Sequence, residues 1–344
     1  MERREFLAAV SVVAAGGSAD GLRRWLPSAP AGAAPVPARI GAGDVAQVRA
    51  MTVRLRALDN RYGGGATLDA ARGFAGWAQG MLRSEYGDAT GRDLKIALSG
   101  LYADVGWSAN DAGRRAEAQR HLARALMLAR EADEPGPIAE VLFQIDRTSL
   151  QWGELEWPRI SAHGLALDAG GCFPGTMAEL NGNVALAAAL RGEARTMASA
   201  LARAEEAQAE AETAQVPVWA AQRAEWTARR AAGRGWLPVY AAISRHPQHR
   251  RYAEFVVERG THAVIDQTRG RRGAAKDRAE LAAAQVRLGD LDAGLDNAHR
   301  VLDDLAGLRS ACARLWLADL ARAAADHAGH SGADDLRARI AAAN

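Results

Sequence analysis

The stretch LKIALSGLYADVGWSANDAGRRAEAQRHLARALMLAREA, residues 94–132, decides the fold. Leu94, Leu98, Leu101 and Val105 recur at three- and four-residue intervals and share one face of a helix. Gly113 interrupts the pattern, and Ala118, Leu122, Ala125 and Ala129 then form a second stripe. The spacing predicts two antiparallel helices joined by a tight glycine turn. A lone hairpin leaves both outer faces unburied, so it needs neighbours stacked on either side.

The unit recurs along the chain. Ile138, Leu142, Ile145, Ser149 and Trp152 lead to Gly153; Leu180, Val184, Ala187 and Leu190 lead to Gly192; Leu281, Ala284 and Leu288 lead to Gly289. Second helices follow through Ala194, Ala198, Leu201 and Ala204, and through Ala293, Asn297, Ala298 and Val301. Upstream, Asp44 and Gln47 have the spacing of a capping box, with Val45, Val48, Thr52 and Leu55 on the face behind them and a helix end expected at Gly63, Gly64 and Gly65. Between residues 217 and 278 the period blurs. Trp219, Trp226 and Trp236 suggest a divergent hairpin broken by Pro238 and Pro247, and residues 310–344 read as a terminal capping hairpin.

Composition agrees with helices throughout. The 344 residues are 49% hydrophobic, much of that fraction being alanine, and no alternating run of β-branched residues is present. The net charge of +2 gives no global attraction to nucleic acid or membranes. The charge is uneven, since residues 229–278 hold twelve Lys or Arg against four Asp or Glu. Cys172 and Cys312 lie far apart without metal or redox spacing and are expected to be reduced and packed.

The run Leu58-Asp59-Asn60-Arg61-Tyr62-Gly63-Gly64-Gly65, the segment Tyr86-Gly87-Asp88-Ala89-Thr90-Gly91-Arg92, Gly106-Trp107, Asp111-Ala112-Gly113, Ala118-Gln119-Arg120 and Gly307-Leu308-Arg309-Ser310 occur in this order. Together they resemble the tetratricopeptide-like C-terminal region of actinobacterial helix-turn-helix regulators of the Xre type. The resemblance implies an all-α, tetratricopeptide-like right-handed solenoid of stacked antiparallel hairpins over residues 40–344. Residues 1–39 precede it as a twin-arginine-like segment and a Pro/Ala/Gly-rich linker. In that family an Arg-Arg-x-Phe-Leu segment lies between a DNA-binding domain and the repeats. Arg3, Arg4, Phe6 and Leu7 match it, so a cytoplasmic tether is expected, with the DNA-binding half outside this sequence. The alternative is an exported repeat adaptor, for which Ala8 to Ala15 is the apolar stretch and Gly17-Ser18-Ala19 the cleavage site.

No catalytic, phosphate-loop, dinucleotide or zinc motif occurs, so neither an enzyme nor a cofactor is expected. His246 with His249, and His327 with His330 near Asp334 and Asp335, supply only half a zinc site each, and no metal is assigned. Trp107, Trp152 and Trp226 are expected to plug gaps between hairpins. The expected function is a non-enzymatic regulatory module whose concave groove, lined by the first helices, takes a peptide, protein or small-molecule signal. Gln144, Arg147 and Asn183 are its candidate partner-binding residues, and a homodimer is compatible with such a module. The alternative site is nucleic-acid binding through residues 229–278 with Arg269, Arg271 and Arg272; Tyr252 and Phe255 are read there as core. No membrane partner is expected.

Overall fold

The computed structural model describes residues 35–153, 172–229, 235–265 and 270–343, and the twin-arginine-like segment lies outside them. The described residues hold fourteen α-helices and no β-sheet, only an isolated parallel bridge between Arg39 and Glu85. None of these helices is long and apolar enough to cross a membrane. The chain divides into two compact units, Met1–Gln144 and Ile145–Asn344.

The first unit contains α1 (Ala42–Tyr62), α2 (Gly64–Gly80), α3 (Asp88–Asp111) and α4 (Arg115–Ala132). Helix α5 (Pro135–Gln151) crosses the boundary. Helix α3 packs on α1, α2 and α4, and Leu94, Leu98, Leu101 and Val105 are fully buried there. Each such leucine contributes about 1.5–3 kcal/mol relative to an exposed one. The partner stripe Ala118, Leu122, Ala125 and Ala129 is buried as well, as the sequence predicts.

The start of α1 differs from the capping box expected there. Gly41 is the N-cap and Asp44 sits three residues in, where its carboxylate accepts the Gly41 N–H at 3.0 Å. An acidic side chain in the first turn faces the exposed amides and favours the helix in either register. The triple glycine also divides differently. Gly63 alone closes α1, with φ of 86°, while Gly64 and Gly65 already belong to the first turn of α2.

The second unit holds α6 (Pro174–Leu190), α7 (Ala194–Ala211), α8 (Ala221–Arg229), α9 (Leu237–Ile243), α10 (Tyr252–Ile265), α11 (Arg271–Leu288), α12 (Leu291–Leu305), α13 (Ala313–Ala325) and α14 (Ser331–Ala343). Its apolar clusters overlap in chain order. The first joins α6, α7 and α9, the second joins α9, α10 and α11, and the third joins α11 to α14. Each helix pair therefore shares its core with the next. Pro238 and Pro247 open elements instead of breaking a hairpin: Pro238 lies in the first turn of α9 and Pro247 starts a 3₁₀ turn. Both positions lack an intrahelical acceptor for an N–H, so proline is tolerated.

The turns of α3/α4, α6/α7 and α11/α12 repeat one geometry. After Gly113, Gly192 and Gly289, the N–H of Arg114, Glu193 and Asp290 returns to the carbonyl of Ala109, Ala188 and Gln285 at 2.8, 2.9 and 3.0 Å. The glycines themselves have φ of 78°, 76° and 91°, the left-handed conformation that this helix stop requires. Leu288, read from its spacing as part of the apolar stripe, is instead 41% exposed at the last residue of α11.

Candidate functional site

Two sequence words of the first unit, Leu58 to Gly65 and Ser108 to Gly113, meet at one node. The Gly64 N–H donates to Asp111 Oδ2 at 2.7 Å, and Ser108 Oγ donates to Asp59 Oδ1 at 3.0 Å. Asp59 and Asp111 are buried. A carboxylate at the start of α2 satisfies an otherwise orphaned amide and complements the helix dipole. A Cβ on Gly64 would lie 2.3 Å from the Ser108 carbonyl oxygen, so α2 approaches α3 at glycine distance. One turn earlier on α3, Asp104 Oδ1 accepts from Arg56 Nε and Nη2 at 3.1 and 2.7 Å. Burial pushes the Asp104 carboxyl above its ordinary value, and Arg56 offsets this only in part. These groups lock helices together.

The second unit carries polar side chains where a repeat protein would otherwise bury alanine and leucine. On α6, Thr176, Glu179 and Asn183 are each at most 2% exposed and follow helical spacing. On α11, Arg272, Asp277 and Glu280 are likewise buried. Lys276 Nζ lies 2.6 Å from Glu280 Oε1, while Glu280 Oε2 is buried without a hydrogen-bond partner. Asn181 links the two helices of its hairpin, donating to the Met177 carbonyl and accepting from Arg203 Nε at 3.1 Å. Buried charge is costly unless paired, so these positions are the most distinctive chemistry of the unit.

Of the residues selected from sequence, Asn183 falls in this set, at 1% exposure. Gln144 is 8% exposed and ends the first unit, whereas Arg147 is half-buried in the second, both on α5. Thr176, Glu179, Asp277 and Glu280 were missed. Their sequence signal is polar residues in helical phase within otherwise alanine-rich segments, a pattern that an exposed helix face shares.

Several cations of the basic stretch are paired within the chain. Arg271 is exposed and donates to the Ala306 carbonyl at 2.8 Å; Arg278 pairs with Asp304. Arg272 is 7% exposed, which removes it from any phosphate-facing surface in this conformation; its aliphatic stem and head are enclosed at the start of α11. Arg269 lies outside the described residues, as does the Trp226 side chain. Phe255, read as core, is instead 40% exposed, while Tyr252 is half-buried. Tyr240, Tyr252 and Phe255 cluster with ring centroids 5.4 to 6.2 Å apart, so Phe255 packs one face on its neighbours and leaves the other open.

The histidine pairs do not converge on a metal position. His246 Nε2 lies 3.1 and 3.2 Å from the carbonyls of Ala189 and Leu190, and His249 Nε2 lies 3.1 Å from that of Gly192. His327 Nε2 reaches the Val286 carbonyl at 2.9 Å. These carbonyls end α6 and α11, where the last turn has no intrahelical donors, and an imidazole N–H satisfies them. Among the described residues no group of three or more His, Cys, Asp or Glu could hold a metal ion. Of the tryptophans expected at gaps, Trp107 and Trp152 are half-buried; Trp236, read from sequence as part of a divergent hairpin, is enclosed at 2% exposure over α6 at Gly182.

Compared with known protein families and with curated proteins, the chain matches none.

Proposed function

We propose that this chain is a non-enzymatic, tetratricopeptide-like helical-repeat module that works in cytoplasmic regulation and takes a peptide, protein or small signal on the first helices of its hairpins. The observation that carries the reading is the packing of successive helices of the second unit on shared cores, with the half-buried Arg147 of α5 as the candidate contact. Overlapping cores along the second unit support a repeat arrangement, in which first helices form the lining of a groove. The words from Leu58 to Gly65 and from Gly106 to Gly113, which resemble those of Xre-type regulators, support a role in transcriptional control.

Calorimetric titration of the full chain with a pool of peptides bearing free carboxyl termini tests this. Saturable binding by the wild type, weakened at least about tenfold in Arg147→Ala, is the expected result. A folded, monodisperse protein that takes up no peptide, or a variant that binds like the wild type, would remove the assignment.

A further inference from the structure

We propose that Arg245 and Arg322, set in place by Asp319 beside Arg287, form a binding site for a phosphoryl dianion. The proposal is independent of the Arg147 contact and stands or falls separately from it.

Three guanidinium groups from three parts of the second unit converge on one oxygen atom. Arg287 Nη2, from the last turn of α11, lies 2.7 Å from Asp319 Oδ1. Arg245 Nε, from the segment after α9, lies 3.2 Å from the same atom, and Arg322 Nη2, on α13 itself, 3.5 Å. Asp319 is 5% exposed and Arg287 7%. Burial pushes the Asp319 carboxyl up, but Arg245, Arg287 and Arg322 outweigh it and hold the group below its ordinary value. It therefore stays ionised at neutral pH.

The cluster then carries three positive charges against one negative. A structural ion pair needs only Arg287 and Asp319, which already form a short, enclosed contact. Arg245 and Arg322 add mutual repulsion, yet both are held within 3.5 Å of that oxygen, with side chains 33% and 68% exposed. Arg322 uses Nε on the Ala318 carbonyl and Nη2 on Asp319, and Arg245 uses Nε on Asp319, which leaves further donors on both groups. Two guanidinium groups at the surface with an excess charge of two over Asp319 match a dianion in charge, and a guanidinium fork can take phosphoryl oxygens in pairs. A carboxylate or chloride would neutralise only half of the excess. The shared chemistry is a phosphoryl group, free or as a monoester.

The test is calorimetry on the full chain at pH 8 and constant ionic strength, with inorganic phosphate in one arm and glycerol 2-phosphate in the other. Saturable binding of inorganic phosphate, weakened about tenfold or more in Arg322→Gln and in Arg245→Gln, is expected. Tighter binding of glycerol 2-phosphate assigns the site to a monoester, and equal binding assigns it to the free anion. Arg322 is mostly exposed, so its variant keeps the test valid if Arg245→Gln melts early. Heats of dilution alone from both anions, or wild-type affinity in Arg322→Gln, overturn the proposal.

Discussion

Replacing Gly64 with alanine tests the node where α2 meets α3. The new methyl carbon would fall 2.3 Å from the Ser108 carbonyl oxygen, 2.9 Å from the Ser108 carbonyl carbon and 2.8 Å from Asp111 Cβ. Two of these are backbone atoms of α3, so no flexible side chain can swing aside. Relief requires α2 and α3 to separate. Overpacking of this kind costs about 1–3 kcal/mol. Separation also lengthens the 2.7 Å bond from the Gly64 N–H to Asp111, and leaving that buried donor unmet costs about 1–3 kcal/mol more. Alanine recovers about 0.5–1 kcal/mol as a better helix former. The balance is a loss of about 3 kcal/mol, or roughly 6–12 °C in melting temperature for a unit of this size. Gly73, on the same helix, has nothing within 4 Å of its added Cβ, so Gly73→Ala should gain about 0.5–1 kcal/mol. Urea and thermal denaturation followed by circular dichroism compare the two variants. Equal stability of Gly64→Ala and wild type, or equal losses in both variants, would refute the close-approach argument.

Three further outcomes follow from other elements. Gly289→Ala meets no neighbouring atom but must hold φ of 91°, so it should lose about 1–2 kcal/mol through conformation alone, seen as a lower urea midpoint; an unchanged midpoint would count against the turn geometry. Trp236→Ala empties the space above Gly182 in the core of α6, α7 and α9 and should cost about 3–5 kcal/mol in thermal melts, whereas a surface ring would cost little. Asp319→Asn removes the carboxylate from the three guanidiniums and should destabilise by about 3–5 kcal/mol at neutral pH. The folded-state pKa of Asp319 is lowered, so its contribution is present above the unfolded value of about 3.9 and disappears as pH falls through the folded one. The gap between wild type and variant should therefore stay constant near neutrality and close below about pH 4; a gap that closes on raising the pH would reverse the sign of this argument.

The stripes Leu94 to Val105 and Ala118 to Ala129 were legible because helical periodicity is a local property: each residue needs only its neighbours at three and four positions to reveal its face. The turn glycines were legible for the same reason, since a left-handed helix stop is set within six residues. Gly64 was not. Its requirement for a missing side chain comes from a carbonyl on another helix, at Ser108, and local sequence reads it only as part of a helix end. The histidines show the same division. Their spacing suggested a shared ligand, but His246 and His327 each reach carbonyls more than forty residues away along the chain.

By itself, the sequence determined the all-helical character, the hairpins of α3/α4, α6/α7 and α11/α12, and their glycine turns. Tertiary structure alone decided which polar groups are enclosed: Asn183 and Glu179 on α6, Arg272 and Asp277 on α11, and the carboxylate of Asp319 beneath three arginines. The physical reason is range. Backbone conformation follows from interactions within a turn or two, whereas burial of a charge depends on which distant helix closes over it and what partner that helix brings.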